Sequence, residues 1–266
     1  MLKPNSTPIY AAETWRKCLV RNDAFTFEAL WNRPESWIES PNEGRGGWSG
    51  VKKISLDLPA GTTAEFFLKC QENYASRSWR HPIFGELTFA REFRNLREFS
   101  QLHLPTPELI YFDCDRAPGR RRALLMTTAL PDRFLSLEEW MLRWQQKDWP
   151  EAKNKSRIIK AIAHIVRRMH EARFQHNGLY PKHIFLSLGG AEIEIRLIDL
   201  EKTRQRRQDL ACLRDLDTLN RRTKTWTDFE RLRFLIDYFG PDADHALRSR
   251  TLAKLMSLRE AKAKRR

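Results

Sequence analysis

His176-Asn177-Gly178-Leu179-Tyr180-Pro181-Lys182-His183-Ile184-Phe185-Leu186 is followed shortly by Leu197-Ile198-Asp199-Leu200, a loop and then an apolar run ending in an acid. The apolar positions Ile193, Ile195, Leu197 and Ile198 predict a buried strand that runs straight into a carboxylate. A carboxylate at the end of a buried strand is costly unless it binds a cation or caps a turn. The loop upstream favours the cation for Asp199.

Outward from this stretch the second part of the chain reads as mostly helical. Ser136-Leu137-Glu138-Glu139 has the form of a capped helix start. From Ser156 to Phe174 the residues Ile158, Ile159, Ile162, Ile165, Val166 and Met169 fall on one face, which predicts a long amphipathic helix. Helices are expected again from Asp209, over Asp228–Phe239, and as a basic helix from Leu247 to the end. The first part, to about Thr128, reads as strands and turns with one helix. Strands are expected over Val51–Leu58, with one slip in the alternation, and over Ala64–Cys70. A strand pair is expected at Leu109–Phe112 and Ala123–Thr127. The single helix lies within Leu87–Leu102, where Phe89, Phe93, Leu96, Phe99 and Leu102 recur at three and four residues. Two prolines in Leu104-Pro105-Thr106-Pro107 end it. The division is placed at residues 1–130 and 131–266.

Composition bounds the function class. The 266 residues are 41% hydrophobic and 31% charged, ordinary for a globular chain with ample core, and no segment reaches the ~20 apolar residues of a membrane span. The N-terminus has no apolar run to suggest a secretory signal, and the four scattered cysteines form no metal or disulfide spacing. A reducing, cytoplasmic setting is expected. The net charge of +14 asks for an anionic partner. No nucleic-acid signature accompanies the basic clusters, so an anionic membrane face fits better than nucleic acid.

The loop and strand match a known catalytic order. In the protein-kinase pattern, H-R-D-L-x-x-x-N precedes a strand ending in a magnesium-binding aspartate. Here the first histidine and the length are kept, but Gly178 stands where the catalytic aspartate is expected. The other parts have candidates in chain order. Gly44, Gly46 and Gly47 could let backbone N–H groups approach phosphate, although glycine-rich turns are more often plain hairpins. Lys69 ends a strand, and Glu92 on the following helix is its natural ionic partner, with Glu86 and Glu98 as rivals. Met126 joins the cofactor-binding candidates.

The ordered set resembles the lipopolysaccharide kinase family, the Kdo/WaaP group with its InaA-like branch, which is related to the protein-kinase fold. The residues that carry the likeness run from Gly44 to Gly240. They include Ala90-Arg91-Glu92-Phe93-Arg94-Asn95-Leu96, Ile165-Val166-Arg167-Arg168-Met169-His170, the spacing His176-x-x-x-Tyr180-x-x-His183-x-x-Leu186, Ile198-Asp199-Leu200 and Arg214-Asp215-Leu216-Asp217. The resemblance implies an α+β, two-lobed kinase-like fold with a small antiparallel-sheet lobe and a mainly helical lobe. It implies ATP with Mg2+ as cofactors and a lipopolysaccharide core or lipid-A precursor as substrate, at the inner face of the cytoplasmic membrane. By the same likeness Lys69 would take the α- and β-phosphates, with Glu92 orienting it. Asp199 would bind the metal, with His183 as second ligand or phosphate contact, and Asp215 would brace the loop. His176 and His183 are then candidates to help catalysis. Two other classes stay open: a pseudokinase that binds without turnover, acting in envelope-stress response, and a basic nucleic-acid-binding protein.

Overall fold

The computed structural model describes residues 7–78, 81–146, 152–189, 192–206 and 208–241, with helical positions 249, 253 and 257. Apart from those three positions, the basic helix expected from Leu247 lies outside the described residues, as do Arg207 and the tail Arg259–Arg266. The chain divides into two compact units, residues 1–98 with 107–130, and residues 99–106 with 131–266. The expected boundary at 130 is therefore crossed once, because the segment from Phe99 to Thr106 belongs with the second unit.

The first unit is built on an antiparallel sheet. In chain order its elements are β1 (Tyr10–Ala11), α1 (Arg16–Arg21), α2 (Phe27–Trp31), β2 (Trp37–Gly44), β3 (Gly47–Asp57), β4 (Thr63–Glu72), β5 (Ala75–Ser78), β6 (His81–Leu87), α3 (Thr88–Gln101), β7 (Leu109–Ala117) and β8 (Arg120–Thr128). Six strands pair in the order β1-β7-β8-β4-β3-β2, and β5 and β6 form a separate ribbon. Residues directly opposed in an antiparallel pair share a face. One face carries Ile54, Leu56, Phe66, Leu68, Cys70, Leu124 and Met126, all nearly inaccessible. It is closed by Cys18, Leu19, Phe27 and Leu30 from α1 and α2. The reading of one helix in this part is thus corrected to three α-helices among the described residues. The two short helices exist because an apolar sheet face must be covered, and α2 starts on a Thr26 side chain that accepts from the Ala29 N–H. The opposite face carries Phe112 and Leu125, paired across β7 and β8. There Phe93 of α3 stacks on Phe112 with ring centroids 4.1 Å apart.

The second unit contains β9 (Leu135–Ser136), α4 (Leu137–Trp144), α5 (Ala152–Glu171), β10 (Phe174–Gln175), β11 (Ile184–Ser187), β12 (Glu194–Leu197), β13 (Arg204–Gln205), α6 (Gln208–Arg222) and α7 (Asp228–Phe239). Helix α4 opens with a capping box in which Ser136 Oγ accepts from the Glu139 N–H and the Glu139 carboxylate accepts from the Ser136 N–H. The apolar stripe of α5 is buried as its spacing predicts, from Ile158 to Met169, and packs against α6 and α7. Strands β12, β11 and β9 form a small antiparallel sheet, while β10 pairs with β13. These two short pairings hold the ends of the Gln175–Ile184 loop. Among the described residues no helix is long and apolar enough to cross a membrane.

Candidate functional site

The loop after β10 is held from below by one buried carboxylate. Asp215 on α6 is inaccessible and accepts from the His176 N–H at 2.6 Å and the Asn177 N–H at 2.9 Å. The His170 imidazole lies 3.3 Å from the same carboxylate and 2.9 Å from the Tyr238 hydroxyl. A buried carboxylate is tolerable only when its lone pairs are satisfied, and here two backbone donors and an imidazole do so. The backbone above it is constrained. Asn177 takes a left-handed conformation (φ 62°), and its side-chain amide donates to the carbonyls of Lys202 and Gln175. His176 Nε2 donates to the Ile198 carbonyl at 3.1 Å, which ties the loop to the residue before Asp199. Its other ring nitrogen, Nδ1, is buried with no hydrogen-bond partner. Burial holds the His176 imidazole neutral, with a pKa below the ordinary 6.5 despite the nearby Asp215.

The metal-binding candidates meet. Asp199 leaves β12 in a left-handed conformation (φ 61°, ψ 55°), a backbone state that costs a non-glycine residue on the order of 1–3 kcal/mol and concentrates at functional sites. Its Oδ2 lies 3.4 Å from His183 Nε2. His183 Nδ1 donates to the Gly178 carbonyl at 2.8 Å, since a carbonyl can only accept. Burial lowers the His183 pKa more than Asp199 raises it. A neutral His183 with its proton on Nδ1 therefore turns the bare Nε2 lone pair toward the Asp199 carboxylate. Two acceptors facing each other repel unless a cation lies between them. A divalent cation there would be held by the Asp199 oxygen and complete its shell with phosphate and water; for an ion as hard as Mg2+ the His183 nitrogen is the poorer of the two ligands. Among the described residues no group of three or more His, Cys, Asp or Glu could hold a metal by itself.

Gly178 has ordinary surroundings. A Cβ added there would meet His176 Nδ1 at 3.7 Å, Tyr180 Cε2 at 3.7 Å and His183 Nδ1 at 3.8 Å, all normal contact distances. The position therefore does not require glycine for steric reasons, and it faces the unpartnered nitrogen of His176.

In the first unit Lys69 Nζ reaches Glu92 Oε1 at 2.6 Å. Of the two rivals, Glu86 pairs instead with Arg91 and Arg94. The register explains why Lys69 and α3 meet. Lys69 opposes Val51 on β3 and Leu125 on β8, so it stands on the sheet face that α3 covers. The slip in the β3 alternation has the same origin: Val51 shares the Lys69 face, while Lys52 turns toward the core and donates to the Arg33 carbonyl. Met126 opposes Leu68 and lies in the core on the other face, fully inaccessible. A nucleotide lining role for Met126 is thus corrected, because strand alternation puts Leu125 and not Met126 beside Lys69. The glycines form a hairpin. Gly44 pairs with Gly47 around Arg45 and Gly46, whose positive φ values of 53° and 81° make the two-residue turn. A Cβ on Gly47 would collide with the backbone of Glu72, Asn73 and Tyr74, so that glycine permits a close strand approach.

Sequence reasoning gave no role to His170 or Tyr238. His170 sits one residue after Met169 on the buried side of α5, and a polar residue at such a position was the available signal.

The model of the lipopolysaccharide kinase (Kdo/WaaP) family matches residues 28–238. Protein InaA of Escherichia coli (strain K12) is 28% identical over 196 residues, covering 73% of this chain and 87% of InaA. Lipopolysaccharide core heptose(I) kinase WaaP of the same organism is 27% identical over 198 residues, covering 71% of each. The solved structure of WaaP in complex with acyl carrier protein superposes with a TM-score of 0.69 at 21% identity, over 97% of this chain and 98% of that one, which shows a shared kinase-like, mixed α/β fold. With the family match spanning most of the sequence, the chain belongs to the lipopolysaccharide kinase (Kdo/WaaP) family.

Proposed function

We propose that the protein is an ATP-dependent phosphotransferase acting on a sugar hydroxyl of the lipopolysaccharide inner core, working in the cytoplasm at the inner face of the membrane. The single observation that carries the reading is the facing of His183 Nε2 and Asp199 Oδ2, two acceptors 3.4 Å apart that ask for a cation. That cation would neutralise phosphate charge, the main requirement of phosphoryl transfer. Lys69, oriented by Glu92, would take the α- and β-phosphates, and the hairpin tip at Arg45 and Gly46 would lie over them. Asp215 sets the His176 and Asn177 backbone, which fixes where Gly178 and His183 stand. With no carboxylate at Gly178, the neutral nitrogen beside that position without a partner is His176 Nδ1, since both His183 nitrogens are already engaged. The transition state of phosphoryl transfer is loose, so a base matters less than the cations.

The exposed Arg204 and Arg206 suit an anionic membrane surface or the acidic substrate itself. The acyl carrier protein found with WaaP is a further partner to test for this chain. The decisive experiment incubates purified protein with extracted lipopolysaccharide and γ-labelled ATP. Transfer of label to the lipopolysaccharide is expected, and no transfer despite Mg2+-dependent ATP binding would replace the enzyme with its second reading. That second reading, a pseudokinase that binds without turnover, rests on Gly178 alone.

A further inference from the structure

A pocket in the first unit lies outside the groups assigned to the nucleotide, the cation and the loop. It has a volume of about 520 Å³ and is bounded by Glu86 and Leu87 at the end of β6, Arg94 on α3, and Cys114, Arg116 and Arg121 on the β7–β8 hairpin. Three arginines line it against one glutamate. Glu86 pairs with both Arg91 and Arg94, and although burial acts to raise its pKa, those arginines hold it below the usual carboxylate range. The pocket thus keeps a formal excess of two positive charges, three arginines less one glutamate.

The strand register adds an independent observation. Arg116 and Arg121 are directly opposed across β7 and β8, so their side chains share one face of the hairpin. Like charges opposed in this way destabilise a sheet. The next pair in register, Asp115 opposite Arg122, has opposite signs on the other face, and Arg122 Nη2 lies 2.8 Å from Asp115 Oδ2. The hairpin thus matches its charges on one face and opposes them on the pocket face. Arg121 is fixed there by its backbone, which exchanges hydrogen bonds with Asn73, and its Nη2 donates to the Gly85 carbonyl at 3.2 Å. Cys114 supplies no charge, because burial pushes its thiol up to about 12.

We propose that this pocket is a binding site for a phosphate monoester, with Arg94, Arg116 and Arg121 as its phosphate ligands. Guanidinium groups bind phosphate oxygens in paired, charge-assisted hydrogen bonds. The volume exceeds what a bare phosphate fills and lies in the range of small-molecule sites, which points to a phosphorylated group of about sugar size. The site does not depend on the catalytic reading, since none of its residues is assigned to ATP or the metal.

The test is calorimetric titration of the Lys69→Ala protein, which removes the lysine expected to hold ATP phosphates. The probes are inorganic phosphate, glucose 6-phosphate and, as uncharged control, glucose. Both phosphate compounds should bind and glucose should not. Tighter binding of glucose 6-phosphate identifies a phosphorylated sugar as the ligand, and equal or tighter binding of phosphate identifies the bare anion. The Arg116→Gln, Arg121→Gln double variant should lose at least tenfold in affinity. Arg94→Gln, at a half-exposed position and with Glu86 still paired to Arg91, should weaken binding severalfold. Arg116→Gln alone should melt no lower than its parent without ligand, because it removes the like-charged pair. Absence of binding by both phosphate compounds, or affinity unchanged in the Arg94 and Arg116 variants, would overturn the proposal.

Discussion

Gly178→Asp restores the side chain that the kinase pattern places at this position. The added Cβ fits, since its nearest neighbours would lie at 3.7–3.8 Å and Gly178 has no positive φ to strain a larger residue. The new carboxylate would stand beside His176 Nδ1, the buried nitrogen with no present partner. A carboxylate there favours the protonated imidazole, so the His176 pKa should move up toward its ordinary range. If the aspartate accepts the sugar hydroxyl's proton, the gain is that of a positioned base, about 10²–10⁴-fold, or roughly 2.7–5.4 kcal/mol of barrier. The assay is single-turnover transfer from γ-labelled ATP to lipopolysaccharide, run beside ATP binding and the NMR titration of His176. Nucleotide affinity should change little, because the substitution leaves Lys69 and its Glu92 partner as they are. A folded variant with the His176 signal shifted and no gain in rate would refute the argument that the missing base limits turnover. If His183→Ala then costs more activity than any change at Gly178, the cation pair with Asp199 and not a base at 178 limits turnover.

Three further outcomes follow from the geometry. Lys69→Ala should weaken ATP binding and Asp199→Ala should abolish its Mg2+ dependence, read as thermal shift with ATP at varied Mg2+. Unchanged metal-dependent shifts in both variants would defeat the site assignment. Asp215→Ala leaves two backbone N–H groups and the His170 imidazole without their common acceptor, and should cost about 3–5 kcal/mol of stability in urea titrations. Finally, His176 and His183 have folded pKa values depressed below 6.5, so the unfolded chain binds more protons as pH falls through that value. Their contribution is fully present above pH ~6.5 and is lost on acidification until the folded pKa values are passed. The melting temperature should therefore fall between pH 7.5 and 5.5, and His183→Asn should flatten that fall.

Much of the local architecture could be read without coordinates because it rests on period and punctuation. The α5 stripe, the Ser136 capping box and the proline stop after α3 are each contained in a short window, and each forms where its residues predict. The order of loop, strand and aspartate was legible for the same reason. The glycines between Gly44 and Gly47 were legible only as a turn. That the turn is a two-residue hairpin, with Gly47 pressed on the backbone of β4's end, depends on pairing across the sheet.

Residue types at the turns, caps and apolar faces are enough to single out His176, His183, Asp199, Lys69 and Glu92 as candidates. Which of them meet, and on which face, depends on strand register and helix packing. Glu86, Glu92 and Glu98 all lie within reach of one lysine along the chain, and the register of β4 with β3 and β8 selects Glu92. The same register turns Met126 inward and Leu125 toward Lys69, a one-residue difference that alternation inverts completely. Asp215 is separated from His176 by 39 residues, and its carboxylate is tolerable only because α6 delivers it to two free N–H groups of the loop. Such contacts are set by where separate elements pack, and no local window of sequence contains both partners.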